Sequence, residues 1–436
     1  MCKVMSKIFF IFFFSVLLFG CKKDSDEYGP KITFTTPAEN QVFNVNDDVH
    51  VTASVKDETK ITSVSVSLLN SSYQLAHTVL PVTVSYSPSS LNIDVHYTLD
   101  NIHLLSGSYY MQIMASDGSH DSRAYQRILI NEIPKVLKQV CVFTANSASQ
   151  TNLSLLDTSF SAITPFHVFS GDYIGSSASS YYQQVSISGN YTGALTALKI
   201  PDNSSPFSFA ASISSNPYYT GFYADEQNSY VSKYDGYIRG YDRSGVLIYN
   251  ASANTGYYAQ HLCFNSDYLI AEEKDKISGA KILVTYFQGG GGQNQTPLSL
   301  DIVSFCEKDG SNVFVFGNAS GQGTIQLFDR VNNNLWDPYP GSLAAGAILS
   351  AVKLNSDTYL IAHSNGTIYK YQYTSSSVTT YLSGYTANHM IYDPDKNELY
   401  LIETNRITGI DYSSLAIHHS ILSAENILDA HLLFNR

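Results

Sequence analysis

Tryptophan occurs once and methionine five times in 436 residues, and only 14% of the chain is charged, against about a quarter in an ordinary globular protein. Basic residues are scarcer still: 25 Lys and Arg face 37 Asp and Glu, for a formal charge of −12. A nucleic-acid binder needs a basic footprint, so that class is excluded. No apolar run reaches the roughly 20 residues of a spanning helix. There is no HExxH, no GxSxG, no P-loop and no GxGxxG ahead of a helix, so the common signatures of metalloprotease, esterase, NTPase and dinucleotide chemistry are missing. Against these absences stand 44% hydrophobic residues, 33 tyrosines and 22 phenylalanines. That much apolar content excludes a disordered chain. The length suits two or three domains.

The N-terminus carries an address. Lys3 and Lys7 flank the start of a 12-residue apolar run, Ile8 to Phe19, which ends Leu17-Leu18-Phe19-Gly20-Cys21. The run has the length of a signal-peptide core, and no small-x-small cleavage site follows. Leu, a small residue and Cys resemble a bacterial lipobox. That resemblance implies a signal peptide over 1–20, lipidation at Cys21, and a membrane partner reached through lipid rather than through basic residues. Lys22-Lys23-Asp24-Ser25-Asp26-Glu27 reads as a solvated tether extending to residue 30. A Lys followed by acids beside the lipidated Cys also resembles the surface-export signal of Bacteroidota lipoproteins. It implies an outer-membrane lipoprotein exposed at the cell surface, with the periplasmic face as the alternative. The remaining Cys141, Cys263 and Cys306 lie in apolar strand-like runs without CxxC spacing, as buried inert thiols do.

Residues 31–133 alternate apolar and polar positions over about seven short segments, such as Val49, Val51, Ala53, Val55 and Ile61, Val64, Val66, Leu68. Seven strands in about 100 residues predict an Ig-like β-sandwich. The Cys–Trp–Cys core of antibody domains is missing, and the pattern resembles bacterial Ig-like or PKD-like modules. That resemblance implies a spacer. The boundary is expected at Ile133-Pro134-Lys135.

Residues 136–436 contain a repeat. Units beginning at Tyr181, Tyr218, Tyr257, Asp301, Ile348 and Tyr385 each show an apolar strand, a polar turn, a second strand, a Gly-containing turn, a third strand ending near Tyr or Asp, and a weaker fourth strand. That is the plan of a β-propeller blade. At about 40–45 residues per blade the segment predicts seven. The terminal segment at 429–436, DAHLLFNR, matches the first strand of a unit, whereas 136–169 supplies only the later three. The fold class expected is therefore all-β: an Ig-like sandwich followed by a seven-bladed propeller closed by pairing of its N- and C-terminal strands. The single Trp excludes the repeated Trp docking of quinoprotein propellers, and neither an Asp-box nor a Trp-Asp repeat is present.

The acidic run Asp393 to Glu398 mimics a calcium loop, but it occupies an inter-strand turn and lacks the Gly and distal Glu of an EF-hand. No metal or cofactor is expected. Gly289–Gly292 reads as a flexible loop, since no helix follows to make a phosphate cradle. One constellation remains: Tyr182, Tyr219, Tyr258 and Tyr385 near strand starts, with His261, His389 and His431 at matching points of their strands. In a propeller these positions form a ring around one end of the axis. Tyr rings combine an apolar face with a hydroxyl, so the expectation is a binding platform for a glycan or a surface protein. The alternatives are packing of these tyrosines between blades, a glycan lyase or hydrolase working in the channel, and a purely structural surface component.

Overall fold

The computed structural model describes residues 28–436 apart from Ser87 and Ile213. The expected signal peptide, Cys21 and most of the tether lie outside the described residues. Every regular element among the described residues is a strand. The chain divides at Pro134/Lys135 into two compact units.

The first unit is a sandwich of eight strands. One sheet pairs β1 (Lys31–Thr36), β3 (Asp48–Lys56) and β6 (Ser90–Thr98), with β3 in the middle. The other holds, in spatial order, β2 (Gln41–Asn44), β8 (Asp121–Asn131), β7 (Gly107–Ser116), β4 (Ser63–Leu69) and β5 (Leu75–Val82). Alternate residues point inward. Val49, Val51 and Val55 of β3 meet Val64, Val66 and Leu68 of β4 and Met111 and Ile113 of β7, all in one buried cluster.

The second unit is seven four-stranded antiparallel sheets. Numbered along the chain, their innermost strands are Asn426–Phe434 (blade 1), Gly175–Ser179 (blade 2), Tyr219–Ala224 (blade 3), Tyr257–Asn265 (blade 4), Asp301–Glu307 (blade 5), Ile348–Lys353 (blade 6) and His389–Asp393 (blade 7). Each innermost strand packs on the next, and the circuit returns from blade 7 through blade 1 to blade 2. The strands approach closely: a Cβ on Gly221 of blade 3 would run into the Gln260 carbonyl of blade 4.

The chain ends close the ring. Asn426–Phe434 runs antiparallel to Leu137–Ser147, with Ala430 opposite Val142 and His431 opposite Cys141. Beyond this pairing, Asn435 donates to the Val136 carbonyl at 3.0 Å and its Oδ1 accepts from the Val136 N–H at 2.9 Å. Closure satisfies two strand edges that would otherwise lie open.

Carboxylates tie the turns. Asp242 accepts hydrogen bonds from the Ser244 N–H, the Ser244 hydroxyl and the Val246 N–H, and Asp411 does the same for Ser413 and Ser414. These are the Asp residues that end the third strands in the repeat. Asp393 likewise accepts from the Asp395 N–H at 3.0 Å, as a turn residue does. The three cysteines among the described residues are free and buried, and burial pushes the Cys141 and Cys306 thiols up to about 12.

One unit of the repeat is out of phase with the sequence reading. Tyr181 and Tyr182 do not precede the first strand of blade 2. They sit in the turn after it, because Gly175–Ser179 is innermost and Gln184–Ser188 is the second strand. GSSAS carries almost no apolar signal, so the stronger QVSIS pattern is the one a sequence reading takes as the first strand.

Candidate functional site

Each innermost strand starts at one end of the axis, the upper end here, and leaves at the other. Tyr258, Tyr385, His261 and His389 belong to the upper end by their place in or just before these strands. Tyr182, in the turn that follows an innermost strand, belongs to the lower end. It is 42% exposed and its hydroxyl donates to Gln227 Oε1 at 2.9 Å.

Tyr219 is a packing residue. It is 2% exposed, wedged among Leu195, Ala197, Phe207 and Val231 between blades 2 and 3. Its hydroxyl donates to the Phe209 carbonyl at 3.0 Å, and burial pushes its phenol well above the usual range. Two of the four tyrosines therefore leave the platform, one by register and one by burial. Tyr385 is half-buried, with the Arg406 guanidinium 5.8 Å from its ring centre. Tyr258 is half-buried beside Tyr234, ring centres 4.9 Å apart, and burial followed by Tyr234 and Glu272 raises its phenol.

The histidines form two groups rather than one ring. His389 and His431 meet, ring centres 6.1 Å apart. Between them lies Asp429: His389 Nδ1 donates a short hydrogen bond to one carboxylate oxygen, and His431 Nε2 stands 3.3 Å from the other. Ser176 shares a 2.9 Å hydrogen bond with His431 Nε2 and another with the Tyr173 hydroxyl, which donates to Asp429 at 3.2 Å. Burial works to raise Asp429, but the charges and hydrogen bonds of His389 and His431 outweigh it and hold the carboxyl well below the usual range. For His389 burial works to lower the imidazole, and the Asp429 charge and hydrogen bond reverse this, so it is raised. The His389 side chain keeps 36% of its exposure.

His261 stands apart. Its Nδ1 is 2.5 Å from Glu272 Oε2, and the same carboxylate lies 3.7 Å from Lys281 Nζ. Lys281 also pairs with Asp301, whose carboxyl is held low first by that hydrogen bond. Glu272 is 1% exposed, while the His261 side chain is 45% exposed. His261, Tyr258 and Gln260 form one wall of a cleft of about 290 Å³, and Asn190, Thr220 and Gly221 of blades 2 and 3 form much of the rest. A larger hollow, about 910 Å³, lies between the outer strands of blades 7 and 1. None of the sequence-predicted residues lines it, and its Glu425 carboxylate already accepts from Thr144 and Asn152.

Sequence reasoning missed Asp429, Glu272, Ser176 and Tyr173. Two signals were present. Asp429 and Glu272 are acids inside strand-like runs, and a buried carboxylate must be paired. Ser176 and Tyr173 had no such signal, because the innermost strand of blade 2 was unrecognised. Among the described residues no cluster of His, Cys, Asp and Glu has the arrangement of a metal site.

Residues 30–120 match the bacterial Ig domain family. No curated protein matches the chain. Among solved structures, the chain is similar to a quinoprotein alcohol dehydrogenase-like protein from Bacteroides thetaiotaomicron, 14% identical over 94% of this chain and 100% of that one, TM-score 0.45. It is also similar to the computationally designed Ika8 protein, 12% identical over 68% of this chain and 90% of that one, TM-score 0.45. The bacterial Ig domain is thus assigned by sequence, and the seven sheets that follow are assigned by their own strand order.

Proposed function

We propose that this is a surface lipoprotein of Bacteroidota type, anchored through a lipid on Cys21, that binds a glycan or a surface protein at the upper end of its propeller. The observation that carries the reading is the cleft where Tyr258 and His261 stand over a buried Glu272. An aromatic face, an exposed imidazole and polar side chains from three blades meet in one concavity, the usual make-up of a small-ligand site. The Ig unit serves as the spacer between anchor and propeller.

The test is a glycan array probed with residues 22–436, followed by titration of any hit. Tyr258→Ala and His261→Ala should each weaken binding about tenfold with little change in melting temperature. An array without hits, or hits indifferent to both substitutions, removes the glycan form of the proposal. The anchor has its own test: palmitate labelling should vanish in Cys21→Ala, and labelling that persists defeats the lipoprotein reading.

A second reading, a glycan lyase or hydrolase, draws on the Asp429 pair. A carboxylate joins two histidines at the axis, and His389 Nε2 has no protein partner among the described residues. An imidazole oriented through Nδ1 by a carboxylate is the arrangement of a general acid or base. Cleavage of a bound glycan that is lost in both His389→Gln and Asp429→Asn would favour this reading. Binding without turnover would exclude it.

A further inference from the structure

The Ig unit carries aromatic side chains that its core does not use. On the outward face of the five-stranded sheet, Tyr110 and Gln112 of β7 stand opposite Arg127 and Tyr125 of β8. Their neighbours Tyr109, Met111 and Ile113 fill the core on the other side. Tyr73, in the β4–β5 turn, folds back over this face. Its ring stacks on Tyr110 at 4.7 Å and 16°, and meets Tyr125 at 5.4 Å and 80°.

The turn is built to hold that ring out. Tyr73 has φ +61°, a left-handed conformation that a bulky residue rarely adopts. Asn70 holds it there, its side-chain oxygen accepting from the Ser72 and Gln74 N–H groups at 2.9 Å each, and its carbonyl from the Tyr73 N–H at 2.9 Å. Tyr73 remains 55% exposed and Tyr125 43%.

The surroundings are polar and positive. Gln112 donates to the Tyr125 hydroxyl at 3.2 Å, and Arg127 donates to Ser108 at 2.7 Å. Arg123, opposite Met114, completes the patch. Both arginines are exposed, and among the described residues neither guanidinium has a carboxylate within ion-pair distance; the Glu39 carboxylate accepts instead from the Arg127 backbone N–H at 3.3 Å. On a chain of net charge −12, two unpaired guanidinium groups beside stacked rings are a local reversal of sign. A guanidinium binds carboxylate or sulfate groups in its planar fork. An aromatic face suits the C–H face of a pyranose, while the hydroxyl and amide rim suits its edge.

We infer that this face binds an acidic polysaccharide, its rings stacking on Tyr73 and Tyr125 and its anionic groups pairing with Arg123 and Arg127. The inference does not depend on the propeller cleft.

Affinity electrophoresis of the whole protein in native gels containing polygalacturonate, alginate or chondroitin sulfate tests it, with dextran as the neutral comparator. At least one acidic polymer should retard the protein and dextran should not. Tyr73→Ala with Tyr125→Ala should weaken retardation at least about tenfold, and Tyr73→Trp should preserve it. Arg123→Ser with Arg127→Ser should weaken it too, and added salt should do so for the wild type. These side chains are exposed, so the variants should melt as the wild type does. Tyr258→Ala with His261→Ala should be retarded normally. No retardation by any acidic polymer, equal retardation by dextran, or retardation unchanged in the Tyr and Arg variants overturns the inference. So does loss confined to the Tyr258/His261 variant, which would place the polymer on the propeller. Self-association dissolved by Tyr73→Ala, without a polymer shift, would give the face to a second copy of the chain.

Discussion

Two carboxylates in the propeller, Asp429 half-buried and Glu272 buried, each hold histidine, and their wiring differs. Asp429 sits on the terminal strand of blade 1, touches His389 of blade 7, and reaches Ser176 and Tyr173 at the start of blade 2. Glu272 binds His261 and Lys281 of its own blade, with Asp301 of blade 5 beyond. The first arrangement spans the place where the ring is joined. The second lies mostly within one sheet and leaves its imidazole open to a cleft. Similar side chains thus bridge three blades in one place and leave an exposed imidazole on a cleft wall in the other.

The join should be the more fragile of the two places. Deleting 424–436 removes the innermost strand of blade 1 together with Asp429. It should abolish most of the roughly 5–15 kcal/mol that holds a domain together, read as loss of the propeller transition in calorimetry. A truncated protein melting as the full chain does would show that closure contributes nothing.

Asp429→Asn is the milder cut. It leaves His389 without its anion and should cost about 1–3 kcal/mol, less than a fully buried pair because His389 still meets solvent. The pair also sets a pH window. The raised His389 gives stability that is full below its unfolded value and is lost as pH rises through its folded one. The lowered Asp429 gives stability that is present above its unfolded value and lost as pH falls through its folded one. Melting temperature should therefore plateau between about pH 4 and about 6.5 and decline as pH rises beyond that, and the alkaline slope should flatten in Asp429→Asn. An unchanged slope would assign the titration elsewhere.

Glu272→Gln should cost less, about 1 kcal/mol, because Lys281 retains Asp301 and an amide still meets His261. A larger loss than in Asp429→Asn, by urea denaturation, would make Glu272 the carboxylate that contributes more to cohesion. Tyr182→Ala, in a lower-end turn, should change stability by no more than about 0.5 kcal/mol and leave upper-end binding untouched.

Much of the fold was legible because it depends on periodicity. Alternation in β3 and β4 marks the sandwich, and the DAHLLFNR terminus marks the closing strand. Blade 2 was misread because its innermost strand is GSSAS, where small residues permit close approach but leave no hydrophobic trace. The site was less legible. His261 and His389 could be placed at one end from the repeat, yet the repeat is silent on burial, and Tyr219 and Tyr258 look alike in sequence. Only packing separates a tyrosine wedged at 2% exposure from one lining a cleft. Asp429 and Glu272 show that an acid in a strand is the better marker of a paired, constrained site than a tyrosine beside one.

Cys141 lies on the strand that the chain terminus covers, opposite His431, with no exposed surface. Its thiol is held near 12 and is inert while that cover stays in place. Cys263 and Cys306, in blades 4 and 5, are also buried but lie away from the terminus. The molecule thus carries its own clock for breathing of the ring. Under native conditions a thiol reagent should mark Cys141 at the rate at which the last strand peels away, with the other two cysteines as the internal standard for whole-domain opening.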